Sequence, residues 1–222
     1  MNKSKGNMYP DVTYTWNPIR GKCPHECIYC YMKIFKVGEL RLDEKALKEN
    51  LGSGNIIFVG SSTDMWAKAI PHEWIEKVLE HCRKFDNTYL FQSKNPERFN
   101  YFEHEFPTKI ILGTTLETNR SNDYSKAPQP RERAEEMIKL KEVGVKMMIS
   151  IEPIIEFDLD EFVEMIRRIK PEFVSIGADS KGHNLPEPKP QKVEEMIRVL
   201  RKFTDVKIKD NLRRITNESP VD

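Results

Sequence analysis

Three of the four cysteines in this 222-residue sequence lie in one short stretch, Gly21-Lys22-Cys23-Pro24-His25-Glu26-Cys27-Ile28-Tyr29-Cys30-Tyr31. The spacing is Cys-x3-Cys-x2-Cys, and thiols this concentrated in a reducing compartment have a chemical use, as ligands or as redox groups. A structural zinc ion normally takes four protein ligands as two separated pairs, and no second pair is present. His25 sits inside the cluster, but one short loop would struggle to wrap four ligands tetrahedrally around a single ion. A cubane iron–sulfur cluster accepts three thiolates from one loop, because each binds a different iron. One iron then lacks a protein ligand, and a small molecule can bind there and accept an electron. A zinc turn, or a chance grouping, is the alternative. Cys82 lies far from the other three on an apolar helical stripe, and is expected to be a small core residue.

The loop has to be positioned by its neighbours. Val12-Thr13-Tyr14-Thr15-Trp16 reads as a β-branched and aromatic strand ended by Asn17-Pro18. Short apolar runs recur at 55–59, 88–91, 109–112, 146–151 and 172–176, with a weaker one at 206–208, in the pattern of strands covered on both faces. Between them, one-sided stripes predict helices: Trp74, Ile75, Val78, Leu79 and Cys82; Leu159, Phe162, Val163, Ile166 and Ile169; Val193, Met196, Ile197 and Leu200. Pro130 opens another helix through Ala134, Met137 and Ile138, closed by Gly144. Buried strands alternating with helices about six times imply right-handed βαβ units around a parallel sheet. Six or seven units fall short of eight, so the expected fold is α/β, a partial (β/α)6-type TIM barrel with outer helices. Residues 121–130 read as an extended loop.

With the motif placed after a first strand, the sequence becomes recognisable. Cys23, Cys27 and Cys30, with the aromatic Tyr29 just before the third cysteine, resemble the signature of the radical S-adenosylmethionine superfamily. Thr15-Trp16-Asn17-Pro18 leading into Cys-Pro-His-Glu-Cys, with Lys94-Asn95-Pro96-Glu97-Arg98 later, resembles its spore photoproduct lyase-like branch, and most of all a group of small proteins, some from phages. The similarity runs from about Thr13 to Asp179. It implies a 4Fe-4S cluster held by Cys23, Cys27 and Cys30, with S-adenosylmethionine chelating the fourth iron and Tyr29 against the adenine. It further implies that an external one-electron reductant of flavodoxin or ferredoxin type feeds the cluster. A 5′-deoxyadenosyl radical would then abstract hydrogen from a substrate.

In parallel βα folds ligands bind at the carboxyl ends of the strands. Five ends carry polar residues: Gly60-Ser61-Ser62-Thr63-Asp64, Ser93-Lys94, Thr114-Thr115-Leu116-Glu117, Ser150-Ile151-Glu152 and Gly177-Ala178-Asp179. Small hydroxyls and single charges on one rim suit a zwitterionic cofactor with a sugar. By the resemblance, Gly60, Ser61, Ser62 and Asp64 are candidates for the methionine amino group, with Ser93 and Lys94 beside them and Lys94 reaching the methionine carboxylate. Thr114, Thr115 and Glu117 are candidates for the ribose, and Ser150 and Glu152 for adenine and ribose. Each also reads as a strand-end turn or helix cap. Tyr31 and Asp179 are candidates for substrate contact or proton handling. His72, His81, His104 and His183 lack partners at metal-binding spacing and read as surface, capping or turn residues.

Lys+Arg 36 against Asp+Glu 35 gives a net charge of +1, which weakens the reading of a strongly basic nucleic-acid binder and leaves local patches possible. Lys202, Lys207, Lys209, Arg213 and Arg214 make one such patch, interleaved with Asp205 and Asp210. No apolar run nears the roughly 18 residues of a membrane span, and no apolar stretch lies behind the basic N-terminus, so a cytoplasmic protein is expected. One domain over 1–222 is expected, with 1–11 and 216–222 poorly ordered. With three cysteines in the cluster and Cys82 in the core, none remains for an auxiliary cluster. DNA photoproduct repair by a further cysteine is therefore disfavoured, the substrate is left open and possibly large, and nucleic acid is not excluded. Two rival functions stand beside the enzyme: a non-catalytic iron–sulfur carrier or sensor, and a zinc-containing nucleic-acid-binding protein.

Overall fold

In a computed structural model of the chain, residues 1–4, 9, 11–140 and 144–216 are described. The strands are β1 (Asn2–Lys3), β2 (Tyr14–Trp16), β3 (Ile19–Arg20), β4 (Arg41–Leu42), β5 (Ile56–Val59), β6 (Thr88–Ser93), β7 (Ile110–Thr115), β8 (Lys146–Ile151), β9 (Phe173–Ile176) and β10 (Asp205–Ile208). The α-helices are α1 (His72–Arg83), α2 (Pro130–Leu140), α3 (Leu159–Ile169) and α4 (Pro190–Leu200). Eight strands take the order β1-β2-β5-β6-β7-β8-β9-β10 in a mostly parallel sheet, and β3 and β4 form a separate antiparallel pair. Every apolar run singled out in the sequence is a strand of the large sheet.

The chain divides into two compact units, Met1–Leu112 with Ser125–Ala127, and Gly113–Tyr124 with Pro128 onward. In the first, β2 pairs in parallel with β5, Trp16 beside Val59, and β5 with β6, Val59 beside Phe91. Part of the leader is also ordered here, since Asn2–Lys3 pairs antiparallel with Tyr14 and Thr15. The core centres on fully buried Trp66, edge-on to Phe91, Phe99 and Phe102 with ring centroids 5.5, 4.9 and 5.6 Å away. Edge-to-face packing suits the aromatic quadrupole and adds to the area term. Cys82 lies fully buried on α1, as its place on the apolar stripe implies.

In the second unit β8, β9 and β10 pair in parallel, Ile151 beside Ile176 and Ile176 beside Ile208. Helix α3 packs on both α2 and α4, burying Phe162, Ile166 and Ile169. Its end is fixed by Lys170, which takes a left-handed conformation at φ +57°. The start of α2 is fixed by Glu132, whose carboxylate accepts from the Gln129 N–H at 2.7 Å, the returning half of a capping box. Residues 121–130 close on themselves at their base. The Gln129 side chain accepts from Asn122 N at 2.9 Å and donates to Asn122 O at 2.8 Å.

Two connections differ from the expected alternation. Between β2 and β5 lie only 3-10 turns, at Tyr31–Ile34 and Ala46–Lys48, and the β3–β4 pair. No 3.6-residue apolar stripe runs through 31–54, and three glycines interrupt it. Between β6 and β7 the chain forms a 3-10 segment, Pro96–Phe102, whose buried Phe99 and Phe102 serve the Trp66 cluster. Of the tail expected to fray, 216–222, Thr216 is ordered, buried and donates its N–H to Leu212 O at 3.1 Å, and 217–222 lie outside the described residues. Among the described residues no helix is long and apolar enough to cross a membrane.

The aromatic cluster carries a measurable load. Trp66→Ala is expected to cost about 3–5 kcal/mol of unfolding free energy, read from urea melts. Trp66→Phe should cost less, since it keeps an aromatic edge and removes a buried indole N–H that has no acceptor among the described residues. Equal losses for the two variants would show that the edge contacts carry no weight.

Candidate functional site

The carboxyl end of β5 is built around two side chains. Gly60, at φ +79°, turns the chain out of the strand in a conformation that favours glycine. Asn17, just past β2, then fastens the next two residues. Its Oδ1 accepts from Ser62 N at 2.9 Å and from Ser62 Oγ at 3.0 Å, and its Nδ2 donates to Ser61 Oγ at 3.2 Å. Thr63 Oγ1 donates to Gly21 O at 2.9 Å, joining the same turn to the chain just before the first cysteine.

Asp64 is the centre of the arrangement. Its Oδ2 accepts from His25 Nε2 at 2.8 Å, Ser93 Oγ at 2.9 Å and Lys94 N at 2.8 Å, and its Oδ1 accepts from Trp66 N at 2.9 Å. Burial alone would raise its pKa. The charge and hydrogen bond of His25, with the Lys94 and Trp66 N–H groups, outweigh burial and hold the carboxyl below the usual range. His25, itself buried, sits between Cys23 and Cys27, so one carboxylate ties the cysteine loop to the ends of β5 and β6. Local sequence pattern marks neither role, with Asn17 reading as a strand stop and His25 as a candidate zinc ligand, because their partners lie 44–45 and 39 residues away. Asn95 Nδ2 donates to Trp66 O at 3.0 Å, and Arg98 Nη1 reaches the carbonyls of Ala67, Lys68 and Ile70 at 3.3, 3.1 and 3.0 Å. The Lys-Asn-Pro-Glu-Arg motif thus holds the segment that carries Asp64.

The cysteine loop is a chain of turns. Cys23 O accepts from Glu26 N at 3.3 Å, Cys27 O from Cys30 N at 3.2 Å and Cys30 O from Lys33 N at 3.1 Å. Glu26 bends the loop at φ +48°. Lys126 clamps it from outside, donating N to His25 O at 2.7 Å and Nζ to Glu26 Oε1 at 2.9 Å. Cys27 is buried, while Cys23 and Cys30 are half-buried. Burial and the nearby Asp64 carboxylate push the Cys23 thiol up to about 12, and burial raises Cys82 as well. Lys94 Nζ donates to Tyr29 OH at 2.9 Å and lies 5.1 Å from the centre of that ring. Tyr31 OH donates to Ser61 O at 2.8 Å, which brings a candidate proton-handling residue against a candidate cofactor residue.

In the second unit Thr114, Thr115 and Glu117 are buried at the end of β7, and Leu116 N donates to Ser150 O at 2.8 Å. Glu117 pairs with Arg133 Nη2 at 2.8 Å, both side chains 2% exposed, and Arg133 also holds Thr115 O. This carboxylate is committed to a buried ion pair. Glu152 accepts from Lys209 Nζ at 2.6 Å and from Asn211 Nδ2 at 2.9 Å. A Cβ on Gly177 would stand 2.7 Å from Glu152 Oε1, so glycine there makes room for this cluster. Asp179, past the end of β9, accepts from His183 Nδ1 at 2.7 Å and His183 N at 2.6 Å, and Arg214 Nη2 grips its carbonyl at 2.9 Å. Burial raises the Asp179 pKa, but the hydrogen bonds from His183 and Lys181 prevail and lower it. The basic C-terminal segment is largely engaged: Lys209 and Arg214 are ion-paired, and Lys207 lies 4.6 Å from the Phe173 ring centre. His81 is buried against Trp16 and Phe85, with Nε2 2.8 Å from Glu49 O, and not at the surface.

Solved structures share this architecture. A spore photoproduct lyase variant with bound AdoMet and dinucleoside spore photoproduct aligns at 13% identity and a TM-score of 0.66, covering 90% of this chain and 77% of that one. Methylornithine synthase (PylB) aligns at 13% identity and 0.54, covering 88% and 64%. Streptococcus suis SuiB bound to S-adenosylmethionine aligns at 13% identity and 0.59, covering 88% of this chain, which spans about half of SuiB at 49%. All three are radical S-adenosylmethionine enzymes. The chain shares the fold of these three enzymes. This is the partial-barrel class expected from the strand pattern. No family model matches the sequence, and no curated protein matches it.

The donor set suits the cluster expected from the sequence. Three soft thiols lie on one loop, and a cubane takes one thiolate on each of three irons; the fourth cysteine, Cys82, is fully buried on α1.

Asp64→Ala is expected to cost about 3–5 kcal/mol, because it leaves His25 buried without its partner. His25→Ala should cost a similar amount, and the double variant little more than either single one; additive losses in urea melts would show that the two do not act as a pair. Asp179 gives a pH signature. Its lowered pKa adds stability that is present above the ordinary 3.8 and lost as pH falls through the lower folded value. The stability advantage of wild type over Asp179→Asn should thus shrink on acidification below 3.8 in denaturant titrations, and a constant difference would refute the assignment.

Proposed function

We propose that this chain is a radical S-adenosylmethionine enzyme. In this reading Cys23, Cys27 and Cys30 hold a 4Fe-4S cluster, and both units work as one domain. The observation that supports it most is the built thiol loop, fixed through buried His25 to the largely covered carboxylate of Asp64 at the end of β5, in a chain that shares its fold with radical S-adenosylmethionine enzymes. When bound, the cluster and S-adenosylmethionine supply reductive cleavage of the sulfonium and a 5′-deoxyadenosyl radical that abstracts hydrogen from a substrate.

The chain's residues do the positioning. Tyr29 offers a ring for the adenine, steadied by Lys94 Nζ. Gly60, Ser61 and Ser62, set by Asn17, present backbone and hydroxyl groups for the methionine amino group. Lys94, whose Nζ also donates to Tyr29 OH, is assigned the methionine carboxylate as a point charge. Thr114, Thr115, Ser150 and Glu152 are assigned the ribose and adenine. Asp64, Ser93 and Glu117 act one step back: Asp64 and Ser93 hold the cysteine loop, and Glu117 with Arg133 holds the end of β7. Asp179 orients His183 for proton handling, and Tyr31, whose hydroxyl is turned in to Ser61 O, is assigned proton handling through that hydroxyl. The proposed compartment is the reducing cytoplasm, which keeps clustered thiols from oxidation. A one-electron reductant is needed from outside.

The test is anaerobic reconstitution with iron and sulfide, reduction with dithionite, and assay for 5′-deoxyadenosine. Wild type is expected to turn brown, to change its EPR spectrum on adding S-adenosylmethionine and to release 5′-deoxyadenosine; alanine at any of the three cysteines should abolish all three signals. A colourless protein carrying zinc, or a cluster indifferent to S-adenosylmethionine, would replace this reading with one of its rivals.

A further inference from the structure

Five of the six large apolar side chains exposed among the described residues lie in one ten-residue stretch. They are Ile28 (40% exposed), Tyr31 (48%), Ile34 (64%), Phe35 (55%) and Val37 (38%). Scattered surface apolar residues are ordinary, but a contiguous run marks a contact surface. This run also holds Lys33 and Lys36, both exposed, and no acidic residue occurs from Cys27 to Gly38. Neither lysine has an acidic partner among the described residues. On the near side, Lys22 and Lys126 share the single carboxylate of Glu26, which leaves that end cationic as well.

The run starts at the thiols. Ile28 lies between Cys27 and Cys30, Tyr31 comes directly after Cys30, and Lys33 N donates to Cys30 O at 3.1 Å. A partner seated on 28–37 is therefore a few residues from two of the proposed cluster ligands. We propose that this ribbon is the docking surface for a small acidic one-electron carrier protein. The inference rests on the cluster assignment above and deepens it by naming the entry face of the electron. One electron leaves the reduced carrier and enters the cluster, and no bond forms or breaks.

Three considerations select this occupant. An apolar centre with an unneutralised cationic rim suits a brief encounter with an anionic protein, because charge supplies orientation and association rate while the contact area stays small. A second copy fits poorly: a two-fold interface sets a patch against itself, and here that would bring Lys33 and Lys36 to face their own counterparts. Nucleic acid stacks on aromatic rings, yet three of the five side chains are aliphatic.

The experiment uses the reconstituted holoprotein and tracks bleaching of the cluster absorbance by stopped flow, without turnover. The reductants are pre-reduced acidic flavodoxin, pre-reduced acidic plant-type ferredoxin and dithionite. Charge reversal in Lys33→Glu with Lys36→Glu is expected to slow reduction by the better carrier about tenfold or more at low salt and to flatten its salt dependence. Ile34→Ser with Phe35→Ser should slow it by a similar factor with the salt dependence kept. Dithionite should reduce all variants at the wild-type rate, since it needs no docking surface. Carrier rates equal to wild type in both variants would overturn the proposal, as would reduction of wild type by neither carrier. So would a wild-type dimer made monomeric by Phe35→Ser, or single-stranded DNA binding lost in the lysine variant while carrier rates stay unchanged. Failure to form any cluster would overturn this proposal together with the assignment beneath it, and is seen before any carrier is added.

Discussion

Burying a carboxylate costs several kcal/mol unless its oxygens are filled by donors and its charge is met. Asp64 meets both conditions with His25, Ser93 and two backbone N–H groups. Those partners come from the cysteine loop, the end of β6 and the turn after β5, so satisfying one carboxylate fixes three segments in mutual register. A loop of turns such as 23–30 buries only Cys27 among its apolar side chains and would otherwise be held only weakly. Because half-satisfying such a network costs more than not building it, the native placement of His25 is set against its near alternatives. The thiols on either side of His25 inherit that placement.

The support extends outward in layers. Asn95 and Arg98 hold the carbonyls of the segment after Asp64, and Trp66 in that segment is the centre of the aromatic core. Core packing is dense and stiff, so a group anchored to it moves little. Asp64 thus links a rigid aromatic core to a chemically reactive loop. Lys126 completes the hold from the solvent side.

Local pattern made much of this legible. Strand and helix periods, Pro130 at a helix start and the spacing of three thiols are all written within a few residues of one another, and each has its counterpart in the structure. Pairings across long separations were not legible in that way. Asn17 read as a strand stop, but its side chain is spent on Ser61 and Ser62, 44 and 45 residues on. Lys126 read as part of an irregular loop, 100 residues from the glutamate it grips. Glu117 looked like a ribose ligand because it stands at a strand end; its partner Arg133 lies on a helix whose periodicity gives no reason to bury a guanidinium. The β2–β5 connection had no helical stripe, and the absence was itself readable, although the exposed ribbon in its place was not.

Asp179 and Asp64 show one device put to two uses. Each is a carboxylate past the end of a parallel strand with little exposure, and each accepts from a histidine ring nitrogen at under 3 Å. The difference lies in what is left over. His25 is buried and its neighbours on both sides are proposed ligands, so its ring serves to fix backbone. His183 is partly exposed, and its Nδ1 is taken by Asp179 while its own N–H is taken by the same carboxylate. That double hold fixes the orientation of the ring. A carboxylate that only capped a turn would need the backbone N–H alone. The bond to Nδ1 orders the imidazole as well, and that order is what the proton-handling role proposed for His183 rests on.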